Sequence, residues 1–227
     1  MTSICAVARV LQPADDVSSL AEKAYHAIRG LIVSLELRPG AVIDERELIE
    51  RLAIGRTPVR EALRRLAHDQ LVEVYPRRGM FVTGVDVRDL ARISEVRVAL
   101  EPEAARLAAE RTTEADRSEL DALLRELDGD GERDDRELMA LDERIHRAVY
   151  RSAHNDLLET TLEQYYVLAL RIWVIALDRQ HELKDAVQEH RALLEAIRDG
   201  DSAGAAETMR AHVQNFEQAM HRVLLTV

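Results

Sequence analysis

Four residues in the second half of the chain have the types and spacing of a metal site. Asp142 and His146, in LDERIHRAVY, stand i, i+4, which places both on one helix face within reach of a common ion. Taken alone, the same spacing also describes a surface ion pair. His190, in EHRALLEAI, and His212, in MRAHVQNF, are equidistant from residue 201, inside the turn-forming stretch DGDS. If an antiparallel helical hairpin closes there, the two imidazoles lie at matching heights. Three imidazoles and a carboxylate suit a divalent ion, zinc foremost, with nickel or manganese as alternatives, and leave positions open in a five- or six-coordinate ion. Open positions allow a carboxylate ligand to dock, or a bound water to be polarised for hydrolysis. No separate general base or nucleophile stands out nearby, which counts against a metal-dependent hydrolase.

A second set of residues suits phosphate and bases. In GRTPVREALRRL (55–66), a helix running from residue 56 gathers Arg56, Thr57, Arg60 and Arg64 on one side, and Val59, Ala62, Leu63 and Leu66 on the other. Thr57 is expected to be the N-cap with Pro58 at the first helical position, so the helix begins abruptly beside its arginines and points its N-terminus at a phosphate. An Arg-rich helix is also compatible with a merely solvated face. Its neighbours decide the matter: a hairpin bearing Arg77, Arg78 and Gly79 follows, and two capped helices precede it.

These sites need elements to hold them. Ser19 with Glu22, and Asp44 with Glu47, have capping-box spacing. They start helices expected over about 19–37 and 45–53. The turn AIG (53–55) leads to a third helix at about 58–69, and LVEVY (71–75) and MFVT (80–83) read as two short strands around PRRG. This order spells a winged helix-turn-helix. Beyond Val85 no strand alternation occurs, and six helical stretches are expected: 87–111, 114–127, 134–152, 155–178, 183–199 and 202–225. The fold class is therefore mainly α, with an N-terminal arm (1–17), a winged helix-turn-helix (18–84) and an all-α antiparallel helical bundle (85–227).

Composition agrees with that division. The 227 residues have a formal net charge of −11, yet residues 1–84 carry 12 Lys+Arg against 11 Asp+Glu, while the remainder carries 19 against 31. A phosphate backbone feels the local patch within a Debye length of about 8 Å, so an acidic whole does not exclude nucleic acid. The single Cys5 excludes an internal disulfide framework. Arg9 interrupts the first apolar run, and YVLALRIWVIAL (166–177) is too short to span a bilayer and contains Arg171. Cytoplasmic residence, with no membrane partner, is the expectation.

The segment LRPGAVIDERELIERLAIGRTPVREALRRLAHDQLVEVYPRRGMFV resembles the DNA-binding domain of GntR-family transcriptional regulators. The resemblance implies that Arg46, Arg56, Thr57, Arg60, Arg78 and Gly79 contact operator DNA, with Arg64 a further phosphate contact. The family usually has Ser or Thr where Gly55 stands. EVRVALEPEAARLAAER (95–111), LDERIHRAVY, SAHNDLLE (152–159) and the Asp142/His146/His190/His212 set resemble the FCD effector domain of the FadR-type branch, in its six-helix, VanR-like group. That likeness implies a homodimer and a small carboxylate effector bound at the metal. It also places Arg97 in the effector pocket, although a helix salt bridge to Glu101 at i+4 is the competing reading. Arg171, in an apolar helix, requires a buried anion or an exit to solvent, and Trp173 is expected in the core. The implied function is a ligand-responsive transcriptional regulator, with repression relieved by effector as the commoner mode. The alternatives are the hydrolase and a constitutive DNA-binding protein with a structural metal.

Overall fold

The computed structural model describes residues 19–86, 88–129, 133–176 and 183–225. The expected arm, 1–17, lies outside them. The chain divides into two compact units, the first ending at Asp86.

The first unit holds three helices and a hairpin. Ser19 caps α1 (Leu20–Val33) by accepting the Glu22 N–H at 3.1 Å. The helix ends four residues short of expectation: Leu35 keeps the apolar period but has φ 60°, and the Leu37 N–H turns back to the Leu31 carbonyl. Periodicity reports which face is buried, not whether the backbone stays helical. Asp44 caps α2 (Glu45–Leu52), its Oδ1 accepting the N–H groups of Arg46 and Glu47. Ala53 turns left-handed at φ 53°, and α3 (Arg56–His68) follows.

The start of α3 departs from expectation. Gly55, extended at φ −64° and ψ 165°, is the N-cap, and no side chain caps it. Thr57 and Pro58 lie inside the first turn, where the missing proline N–H has no intrahelical acceptor to lose. Ile28, Leu31 and Ile32 of α1 meet Val59, Ala62, Leu63 and Leu66 of α3 in a shared core. Strands β1 (Val72–Tyr75) and β2 (Gly79–Val82) pair antiparallel, Val72 opposite Val82 and Tyr75 opposite Gly79, and Val42 bridges to Phe81. At the hairpin tip Arg77 (φ 66°) and Gly79 (φ 101°) both take the left-handed conformation that lets the strands reverse.

Every element among the described residues of the second unit is a helix: α4 (Arg88–Arg111), α5 (Glu114–Leu127), α6 (Asp135–Ser152), α7 (Asp156–Ala176), α8 (Leu183–Gln188), α9 (His190–Asp199) and α10 (Ser202–Leu225). α4 runs through the middle, in contact with α6, α7, α9 and α10. A reciprocal capping box starts α5, Thr113 accepting the Asp116 N–H and Asp116 accepting that of Thr113. The expected helix 183–199 is two helices. They part at Glu189, where the carbonyl of Val187 serves the His190 ring. No helix among the described residues is long and apolar enough to cross a membrane.

Candidate functional site

The basic surface is built on α2, α3 and the hairpin. Burial of Val59, Ala62, Leu63 and Leu66 leaves Arg56, Thr57, Arg60 and Arg64 exposed on the opposite side of α3, and Arg46 is exposed on α2. Arg60 is not idle: its Nε lies 3.0 Å from Glu45 Oε2 in the first turn of α2. Both groups are substantially solvated, so exchanging Glu45 for another acceptor costs little. Arg65, exposed on the flank of α3, pairs with Glu22 and lies 4.3 Å from the Tyr25 ring centroid, fastening α3 to α1. Arg78 and Gly79 are exposed at the hairpin tip, with the Arg78 guanidinium 5.8 Å from the Tyr75 ring.

In the second unit, Asp142, His146, His190 and His212 converge on one point. All four are buried, and one potential ligand atom from each lies within 4.8 Å of every other. His146 Nε2 is 3.2 Å from His190 Nε2 and 3.3 Å from His212 Nε2. Nitrogens that share an ion at about 2.1 Å stand about 3.0–3.4 Å apart for bond angles from square to tetrahedral, so the spacing suits one divalent ion. Asp142 contributes Oδ1 at 3.6 Å from His190 Nε2 and Oδ2 at 3.9 Å from His146 Nε2. The hairpin of α9 and α10 brings the His190 and His212 rings within 4.2 Å, centroid to centroid.

Outer partners turn the ligand atoms inward. His190 Nδ1 is 3.1 Å from the Val187 carbonyl, His146 Nδ1 is 3.1 Å from the Tyr150 hydroxyl, and His212 Nδ1 is 3.4 Å from Glu189 Oε2. The Tyr166 hydroxyl donates to Asp142 Oδ2 at 2.7 Å. Such partners orient metal-ligating side chains and leave the other ring nitrogen free to bind. Burial pushes the His190 pKa down to about 4, against the pull of Asp142, and holds His212 well below the ordinary range. Both rings are neutral near pH 7, the form that ligates.

Arg97 and Glu101 are both fully buried on α4, and the Arg97 Nε donates to Glu101 Oε1. Burial disfavours the charge of each, but the attraction between them prevails: Arg97 is held protonated, and Glu101 is pushed down to about 2 with help from His146. Arg97 also faces the rings of Tyr166 and Phe216, with centroids at 5.8 and 5.4 Å. The Arg97–Glu101 salt bridge is thus present beside the ligand cluster. Arg171 is buried on α7, where desolvation lowers its pKa to about 10. It leaves that helix about 140° around from Tyr166, and so does not share the face that Tyr166 turns to Asp142. Trp173 is in the core, edge-on to Phe216.

Sequence reasoning missed the outer partners. Tyr150 follows His146 at i+4 and so was accessible to helical periodicity. Tyr166 carries no local signal, since tertiary packing alone brings it in, and the Val187 carbonyl, three residues before His190, is reached through a helix break that apolar spacing does not mark.

Residues 20–82 match the gntR family of bacterial regulatory proteins, and residues 92–215 match the FCD domain. The chain is 34% identical over 203 residues to the galactonate operon transcriptional repressor of Escherichia coli, covering 76% of this chain and 86% of that protein. It is 31% identical over 194 residues to the Nta operon transcriptional regulator of Aminobacter aminovorans, covering 84% and 90%. The solved structure of E. coli McbR/YncC has a TM-score of 0.76 at 26% identity, covering 91% of this chain and 99% of that one. With both matches falling on the units that hold the basic surface and the buried cluster, the chain belongs to the GntR family of transcriptional regulators, with a C-terminal FCD domain, and not to a family of enzymes.

Proposed function

We propose that this regulator binds operator DNA as a cytoplasmic homodimer, holds one divalent ion on Asp142, His146, His190 and His212, and responds to a small carboxylate bound at that ion. The observation that carries the reading is the convergence of four buried ligand atoms, three of them on side chains that a hydrogen-bonding outer partner aims inward. When bound, the ion supplies a Lewis-acid position on which a carboxylate oxygen rests. Arg97 is the cation beside the cluster suited to the rest of such an anion, and Arg171 is a second buried cation on α7. The name of the galactonate operon repressor supports the class, since galactonate is a small organic acid, and supports repression as the mode.

On the DNA side, Arg56 and Arg60 suit bidentate contact with guanine in the major groove, and Arg46, Thr57 and Arg64 suit phosphate. Arg78, next to the conformationally free Gly79, suits the minor groove. The functional units for these roles are the winged helix-turn-helix (18–84) and the bundle (85–227). In a dimer the effector favours one bundle arrangement, which resets the spacing of the two DNA-binding domains and so their joint affinity.

Fluorescence anisotropy of a labelled operator, drawn from DNA flanking this gene and titrated with D-galactonate and other small organic acids, tests the reading. Wild-type protein is expected to release the operator with at least one acid, and His190→Ala to bind operator but not respond, with circular dichroism confirming that it is helical. A full response from folded, metal-free His190→Ala protein would overturn the sensing role of the ion.

A further inference from the structure

We propose that Glu101 is a positioning residue that ties Arg97 to the metal ligand His146, so that the hold of Arg97 on Glu101 sets how firmly the bundle keeps its ion. This rests on the four-residue metal site proposed above. Glu101 is 0% exposed and uses its two carboxylate oxygens differently. Oε1 accepts from Arg97 Nε, whereas Oε2 makes no hydrogen bond and lies 3.4 Å from His146 Nδ1. A buried carboxylate oxygen with no donor is costly, and the groups beside Glu101 able to supply a proton are the His146 ring and the Tyr150 hydroxyl.

Ligation determines where that proton is. With Nε2 committed to an ion, the neutral His146 ring carries its proton on Nδ1, between two acceptors: the Tyr150 hydroxyl at 3.1 Å and Glu101 Oε2 at 3.4 Å. A carboxylate that takes this proton makes the ring a stronger ligand, and loss of such a partner characteristically weakens metal affinity about 10–100-fold. Arg97 enters as the cation that shares the same carboxylate. Drawn onto Glu101 it withdraws negative charge from His146; drawn onto an incoming anion it returns that charge. A carboxylate effector bound to Arg97 therefore tightens the ion, and by linkage the ion tightens the effector.

The test uses zinc affinity, measured by competition with a chromophoric chelator, and the visible absorption of the cobalt-substituted protein. Glu101→Gln is expected to weaken zinc about 10–100-fold and to shift the cobalt bands while the protein stays helical by circular dichroism. Arg97→Met should change zinc affinity at least threefold in the wild-type background and by less than half that factor in the Glu101→Gln background. The charge of Arg97 also acts directly on the His212 ring, and an effect of the same size in both backgrounds would assign all of it to that direct route and overturn the proposal. Glu101→Asp serves where Glu101→Gln does not fold: it keeps the charge but draws the carboxylate back from His146 Nδ1, and should weaken zinc by at least about threefold, whereas an affinity within about twofold of wild type would overturn the proposal. Zinc affinity in Glu101→Gln within twofold of wild type would likewise overturn the inference alone. A wild-type protein that binds no zinc or cobalt would remove the metal site first and this inference with it.

Discussion

The Nδ1 atom of His190 lies 3.1 Å from the carbonyl oxygen of Val187, and because a carbonyl only accepts, the proton of this neutral ring sits on Nδ1. Its Nε2 lone pair is left facing His146 Nε2 at 3.2 Å. A proton on His146 Nε2 can serve only one of its two neighbours, this nitrogen or His212 Nε2 at 3.3 Å, whereas a cation among them serves all three.

Protein prepared without chelator is therefore expected to carry about one divalent ion per chain by elemental analysis, and His146→Ala, His190→Ala and His212→Ala should each lower the occupancy. Removing the ion should also lower the unfolding temperature, since a ligand at a hundred times its Kd stabilises by about 2.7 kcal/mol. Full loading in all three variants would refute the site.

Arg60→Ala should cost about 1–3 kcal/mol of specific operator binding without disturbing the fold, because its side chain leaves α3 on the face opposite Val59, Leu63 and Leu66. Glu45→Gln releases the same guanidinium and removes an anion from the basic surface, so operator affinity should hold or rise. Anisotropy titrations at fixed salt check both; an unchanged affinity in Arg60→Ala would remove this residue from base readout.

At the hairpin tip, Arg78→Ala should reduce the slope of log affinity against log salt by about 0.9 for each phosphate its guanidinium neutralises. Binding isotherms between about 50 and 200 mM salt measure it. A slope equal to that of the wild type would leave the arginine in solvent.

Thr113→Ala should destabilise the protein by about 1 kcal/mol near neutral pH through loss of the α5 cap. The loss is pH-dependent. Burial of Asp116 works against its charge, but the Thr113 hydroxyl and N–H and the His154 ring outweigh it, and the carboxyl is held below its ordinary value. A lowered folded-state pKa gives stability that is complete above the unfolded value of about 3.9 and is lost as the pH falls below it toward the folded value. The gap between wild type and variant should narrow over that range in urea denaturation curves. A gap that stayed constant would show that the hydroxyl caps the backbone without acting on the carboxylate.

Several features were legible because their causes are local. Ser19, Asp44 and Thr113 accept backbone N–H groups within three residues, so chain order alone placed the starts of α1, α2 and α5. The pairing of His190 with His212 was legible for a related reason: helical rise is constant, so two residues equidistant from a tight turn meet. Tertiary structure decided what depends on groups distant in sequence. The stop of α1 at Val33 and the break at Glu189 were missed for another reason: the carbonyls of Leu31 and Val187 meet groups only six and three residues on, but apolar spacing does not encode which carbonyls are used. The surroundings of the ligand cluster do depend on distant groups. Sequence spacing offered Glu101 as a partner for Arg97, but only packing α4 against α6 sets its second oxygen 3.4 Å from His146. A residue's chemistry is written in its type, whereas its electrostatic role depends on low-dielectric distances that exist only once the helices have packed.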